Sequence, residues 1–208
     1  MSIIKNIFVV ILVFAFYCCN GQSIKSISKY INRNSKSYNV DDSLLVSIKN
    51  SNKLIIGFYS FSNSGQHVPF TYFMIGFNKE KAVAYKYSVS KVVINNQPRS
   101  VLQSFTISKE ISDSLLVLFT GIKNDVLNHE ENDSTTEFCS HQTNRDKKNI
   151  CIIHDASYYN LIAMTKKHVT KSSFYEPQYF EMQCCPGNRQ RQAFLSLMNF
   201  VKKVVEKN

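Results

Sequence analysis

The chain has no tryptophan, only six glycines and four prolines, and 15 acidic residues against 25 basic ones. So little Gly and Pro, beside 44% hydrophobic residues, excludes a collagen-like, low-complexity or disordered chain. No glycine-rich loop of the phosphate-cradling kind is present. No RNP or zinc-finger pattern sets basic residues among aromatics, so no specific nucleic-acid partner is expected. The apolar run from Ile7 to Cys19 is 13 residues long. Crossing about 30 Å of hydrocarbon takes roughly 20 apolar residues, so this run is too short to be a transmembrane helix.

What the run does fit is an export signal over residues 1–21. Lys5 supplies the basic start and Ile7–Cys19 the apolar middle. No polar face interrupts the run, as a surface helix of the domain would require. Two processing sites compete. Ordinary cleavage after Gly21 would use Cys19 and Gly21 as the small residues before Gln22. The other is carried by Phe16-Tyr17-Cys18-Cys19-Asn20-Gly21-Gln22, which resembles the end of a bacterial lipoprotein signal. Cys18 stands at the small position before the cysteine, and the resemblance implies that Cys19 receives the lipid. Such a protein sits in the cell envelope, on the periplasmic or extracellular side. Its anchor would hold it to the membrane without spanning it.

About 187 residues follow Gly21, enough for one domain with a real core. Without Lys5 the formal charge falls from +10 to +9. That balance favours anionic surroundings, such as a lipid surface, an envelope polymer or an acidic protein. Residues 22–40 read as a basic tether or a short helix. Lys25, Lys29, Arg33 and Lys36 lie there without an acid, and Ile24, Ile27 and Ile31 have helical spacing. Residues 41–208 read as a single domain.

Its fold class is α+β, an antiparallel sheet of about six to eight strands packed by two main helices. Leu44–Ile48 and Leu54–Phe61 form a hairpin around Asn50-Ser51-Asn52 in this reading. Strands follow at Phe70–Phe77, Ala82–Ile94 and Val101–Ile107. The alternation in Ala82–Ile94 predicts one buried face. The first main helix covers about 109–128. It buries Ile111, Leu115, Leu118, Phe119, Ile122 and Val126, is capped by Ser108 or Ser112, and packs closely at Gly121. Residues His129 to Thr136 read as an acidic loop. Further strands fall at Asn149–His154, Tyr158–Met164 and Val169–Tyr175. The last helix covers 189–207, capped by Asn188, with Phe194, Leu197, Met198, Val201, Val204 and Val205 on its buried stripe. Two striped helices on one antiparallel sheet make a two-layer domain.

Candidate chemistry centres on cysteine. Cys139, Cys151, Cys184 and Cys185 are an even set in an exported chain, which predicts disulfides. A bond between adjacent Cys184 and Cys185 would be strained, so one of them is expected to reach Cys139 or Cys151. Zinc is the rival reading, through Cys139, His141, Cys151 and His154, although no spacing is that of a standard finger or ribbon. His154-Asp155-Ala156-Ser157 has the residue types of a triad but no nucleophile-elbow motif. Glu110 with Asp113, and Glu130 with Glu131, do not set two carboxylates across a cleft. Arg189 and Arg191 at a helix start could hold an anion or point into water. The sequence implies no cofactor and no catalytic residue.

The function expected from these observations is that of a non-enzymatic envelope lipoprotein acting by binding. Its partners would be the membrane, through the anchor, and an anionic polymer or a protein. An immunity or inhibitor protein against an exported toxin or enzyme is the second reading. A hydrolase with a site built from scattered residues is the third.

Overall fold

The structure is a computed structural model, described here for residues 24–33, 43–62, 70–78, 81–94, 97–127, 136–138, 150–152, 157–184 and 186–207. The export segment, Cys19 and the triad-like residues 154 and 155 lie outside these residues. Helix α1 covers 24–33 and α2 Ser43–Ser51. Four strands follow: β1 (Leu54–Ser62), β2 (Phe70–Phe77), β3 (Ala82–Ile94) and β4 (Gln97–Ile107). After α3 (Lys109–Leu127) come β5 (Thr136–Phe138), β6 (Ile150–Ile152), β7 (Ser157–Thr165) and β8 (Val169–Tyr175). The short α4 (Pro177–Tyr179), a π-helical turn (Phe180–Cys184) and α5 (Arg189–Glu206) complete the order.

The main sheet has six antiparallel strands in the order β4-β3-β2-β1-β7-β8, so the chain is α+β. The strand at 150–152 is not part of it. That strand pairs with β5 in a separate two-stranded ribbon, so Thr136, expected in a loop, is a strand residue.

One face of the sheet carries Leu54, Ile56, Ile75, Phe77, Ala82, Ala84, Leu161 and Ala163, packed against α1, α3 and α5. The buried stripe of α5 is the one its spacing predicts: Phe194, Leu197, Met198, Val201, Val204 and Val205. Phe194 stacks on Phe174 of β8 at 4.2 Å between ring centroids. Asn188 caps α5, accepting from Arg191 N–H at 3.0 Å. In α3, Leu115, Phe119 and Val126 are buried as expected, joined by Leu116 and Leu127. Ser108 caps it through Ile111 N–H at 3.4 Å. Two details differ. Ile111 is exposed, and a methyl group on Gly121 would meet nothing within 4 Å, so that glycine does not mark close packing.

The expected strand Leu44–Ile48 is instead helix α2. Leu45 and Ile48 are buried while Val46 and Ser47 are exposed, a period of three to four rather than two. Asn50-Ser51-Asn52 is therefore the end of a helix and not a hairpin turn. Leu45 and Ile48 cover the sheet's other face with Ile55, Met74, Tyr87, Ile162, Met164 and Val169. The tyrosines of β3 turn to this side and the small Ala82 and Ala84 to the side of the long helices. The strand thus buries residues on both faces, where its alternation had suggested one. Asn52 fixes the α2 layer: Nδ2 donates to Ile48 O at 2.8 Å and to the Tyr85 hydroxyl at 3.2 Å. Gly76 must lack a side chain here, since a Cβ would lie 2.5 Å from Asn52 Oδ1.

Candidate functional site

The register brings one end of five strands together. Leu54 of β1 pairs with Phe77 of β2 and with Thr165 of β7, Phe77 with Ala82 of β3, and Ala82 with Ile107 of β4. Everything that enters or leaves the sheet at those positions gathers at the same end. A cleft of about 1220 Å³ opens there.

Two helices form its walls. Helix α1 turns Ile27 and Ile31 into the core, at 0% and 1% exposure, so it packs on the domain rather than acting as a tether. That leaves Lys25, Ser28, Lys29 and Asn32 along the cleft, at the i, i+3, i+4, i+7 spacing of one helical face. Helix α3 presents Lys109, Ser112, Asp113 and Leu116 at the same spacing. Turns complete the rim. Asn78 Oδ1 accepts from Lys81 N–H at 2.9 Å and shapes the β2–β3 turn. The Thr165 hydroxyl accepts from His168 N–H at 3.1 Å and donates to Asn32 Oδ1 at 2.8 Å. These two bonds tie the Lys166-Lys167 turn to α1.

The rim is cationic: Lys25, Lys29 and Arg33 from α1, Lys53 before β1, Lys81 before β3, Lys109 opening α3, and Lys166 and Lys167 between β7 and β8. All eight are exposed. Among the described residues that line the cleft, Asp113 is the only carboxylate, and there is no histidine or cysteine. The floor is apolar, made by Ile24, Phe77, Ala82, Ile107 and Leu116. Beside the α3 wall, Glu110 is held below the usual carboxylate range by its own backbone N–H and by the Ser108 hydroxyl. Like charges crowded on one rim raise the local potential and draw anions.

No protein family matches this chain. No curated protein matches it either. The geometry of the site therefore carries the functional argument.

The residues singled out from the sequence lie elsewhere. Cys184 ends the π-helical turn and is half of a disulfide. Its partner is not among the residues whose side chains are described. Cys151 sits in β6 opposite Glu137. Cys139, His141, His154 and Cys185 fall outside the described residues, so the zinc reading and the exact bridge do too. Among the described residues no three of His, Cys, Asp and Glu cluster as a metal site would require, and no helix is long and apolar enough to cross a membrane.

The two arginines at the start of α5 are engaged within the domain. Arg189 Nε lies 3.2 Å from Asp125 Oδ2 of α3. Arg191 is 3% exposed, lies 3.5 Å from Glu181 Oε2 and stands over the Phe180 ring at 5.8 Å. Glu181 also accepts from Gly187 N–H at 2.7 Å, Gln192 Nε2 at 2.6 Å and Asn188 N–H at 3.2 Å. Burial alone would push its carboxyl up. The three hydrogen bonds and the Arg191 charge outweigh burial and leave it below the usual value.

In the linear sequence the only traces of the cleft are the acid-free cations of 22–40, which read as a tether or a short helix, and the Lys166-Lys167 pair in a polar turn. Nothing in the linear pattern joins them to Lys53, Lys81 and Lys109.

Proposed function

We propose that the protein is a non-enzymatic, lipid-anchored binding protein of the cell envelope, and that its cleft holds an anionic ligand. The observation that carries this reading is the cleft rim, where the described residues set eight exposed cations against one carboxylate. Binding fits the rim better than catalysis. Among the described residues the lining offers hydroxyls and ammonium groups but no histidine or cysteine to work beside its single carboxylate. The export segment supports an envelope location, and the Cys18-Cys19 junction supports the anchor.

The test is equilibrium binding of inorganic polyphosphate, a simple polyanion. The variant Lys25→Gln/Lys29→Gln/Lys166→Gln/Lys167→Gln removes four exposed cations and leaves the core untouched. Each cation near an anionic surface is worth about 1 kcal/mol, so affinity should fall by about a thousandfold. Added salt should weaken the parent far more than the variant. Equal binding by the two proteins would remove the cleft from the function.

A further inference from the structure

We infer that the ligand of this cleft is an anionic amphiphile: a phosphate-bearing headgroup held by the rim, with a hydrocarbon chain lying on the floor. The inference rests on the anion-binding reading and deepens it. A plain polyanion would satisfy the rim and leave the floor wet. Yet apolar atoms make up more of the exposed lining of the cleft than polar ones, and the half-buried Ile24 lies there beside the cations. Ligand sites usually enclose about 300–1,000 Å³. A cleft of about 1220 Å³ has room for a headgroup and a length of chain. Two chemistries in one cavity ask for two chemistries in one ligand.

The place of the cleft suits such a ligand. Its α1 wall begins at residue 24, five residues beyond Cys19. Fully extended, five residues span at most about 18 Å. A lipid on Cys19 would therefore hold the cationic rim close to the membrane surface, where anionic headgroups concentrate. The same chemistry is available from a membrane phospholipid or from a soluble alkyl phosphate.

The experiment uses the full chain and reads the melting temperature. A ligand that binds only the folded state raises it in proportion to the logarithm of concentration over Kd. The probes are inorganic phosphate, ethyl phosphate and octyl phosphate, the last below its micelle concentration, with octyl glucoside as the uncharged control. Each methylene moved from water onto apolar surface tightens binding about fourfold. With half of the added chain seated, octyl phosphate should bind about sixtyfold tighter than ethyl phosphate.

Ile24→Gln should reduce that chain-length gain, since Ile24 is only partly buried and its replacement leaves the core standing. The quadruple lysine variant should lose binding of all three phosphates. A control variant, Lys202→Gln/Lys203→Gln/Lys207→Gln, removes exposed cations from α5 and its end and should behave as the parent. Equal binding of inorganic and octyl phosphate overturns the amphiphile while the anion-binding reading survives. Equal binding of octyl glucoside and octyl phosphate overturns it as well, as does equal loss in the cleft and control variants. Vesicles of phosphatidylglycerol and of phosphatidylcholine assign the source. Stabilisation by the first alone, lost in the quadruple variant, identifies a membrane phospholipid. Octyl phosphate binding without any vesicle effect supports the same chemistry from a soluble amphiphile.

Discussion

The start of α5 and the cleft at the sheet end are both rich in cations, and they treat those cations in opposite ways. At the start of α5, Arg189 meets Asp125 and the buried Arg191 meets Glu181, so positive charge is matched by carboxylates of the same domain. In the cleft, eight exposed cations share a cavity with one carboxylate among the described lining residues, Asp113. The first arrangement fixes how a helix enters the fold, and the second leaves a potential that an external anion can answer. Cations adjacent in sequence are thus a poor guide to a binding site. What counts is whether the fold brings carboxylates to them.

The contrast breaks first at Glu181. Glu181→Ala would leave the Arg191 guanidinium buried without that carboxylate and three donors without their acceptor. Removing one partner of a buried pair costs about 3 kcal/mol or more, which denaturant unfolding at neutral pH should register. The pH dependence has a definite sign. The Glu181 carboxyl titrates below its ordinary value of 4.5 when folded. Its stabilisation is therefore complete above that value and is lost as pH falls through the lower, folded value. Parent and Glu181→Gln stabilities should converge as pH falls through the folded value of this carboxyl, and a gap that persisted in acid below it would assign the cost to shape rather than charge.

A smaller effect is expected one turn away. Asn188→Ala removes the cap of α5 and should lower stability by about 1 kcal/mol. Arg189→Gln should change it by about 0.5 kcal/mol or less, because this pair is solvent-exposed on the arginine side. The quadruple lysine variant of the cleft sharpens the comparison from the other side. Its stability should match or slightly exceed the parent's, since it relieves like-charge crowding. A loss as large as that of Glu181→Ala would mean that the rim cations hold the fold together.

Much of the fold could be read from the sequence because burial imposes period. The stripe of α5 is the plainest case: six apolar residues on one face, all buried. Strands β1, β2, β3, β7 and β8 were visible as β-branched and aromatic runs between polar turns. Helix α2 was misread because Leu44-Leu45-Val46 is apolar without a break, and a short apolar run fits a strand or a helix equally well. The tertiary context decided it, through Asn52 seated against Gly76. The cleft was hidden for a different reason. Its cations come from five separate segments, and only the antiparallel register that pairs Leu54 with both Phe77 and Thr165 brings them to one place. Arg189 and Arg191 raise the reverse difficulty: the sequence offers an anion site or solvated side chains, and the fold instead gives them Asp125 from α3 and Glu181 from the preceding turn.

The sheet order also bears on how the chain is made. Strands β1 to β4 pair with their sequence neighbours, but β1 pairs on its other side with β7, whose partner to Leu54 is Thr165. More than a hundred positions separate those two residues, so the pairing closes a long loop and is slow. Ribosomes add roughly 5–20 residues per second. For several seconds of synthesis the growing chain therefore carries a meander whose central strand-to-be, β1, is still an open edge. Until β7 emerges, the row of amides on that edge can pair with any other extended segment, including the same strand of a neighbouring chain.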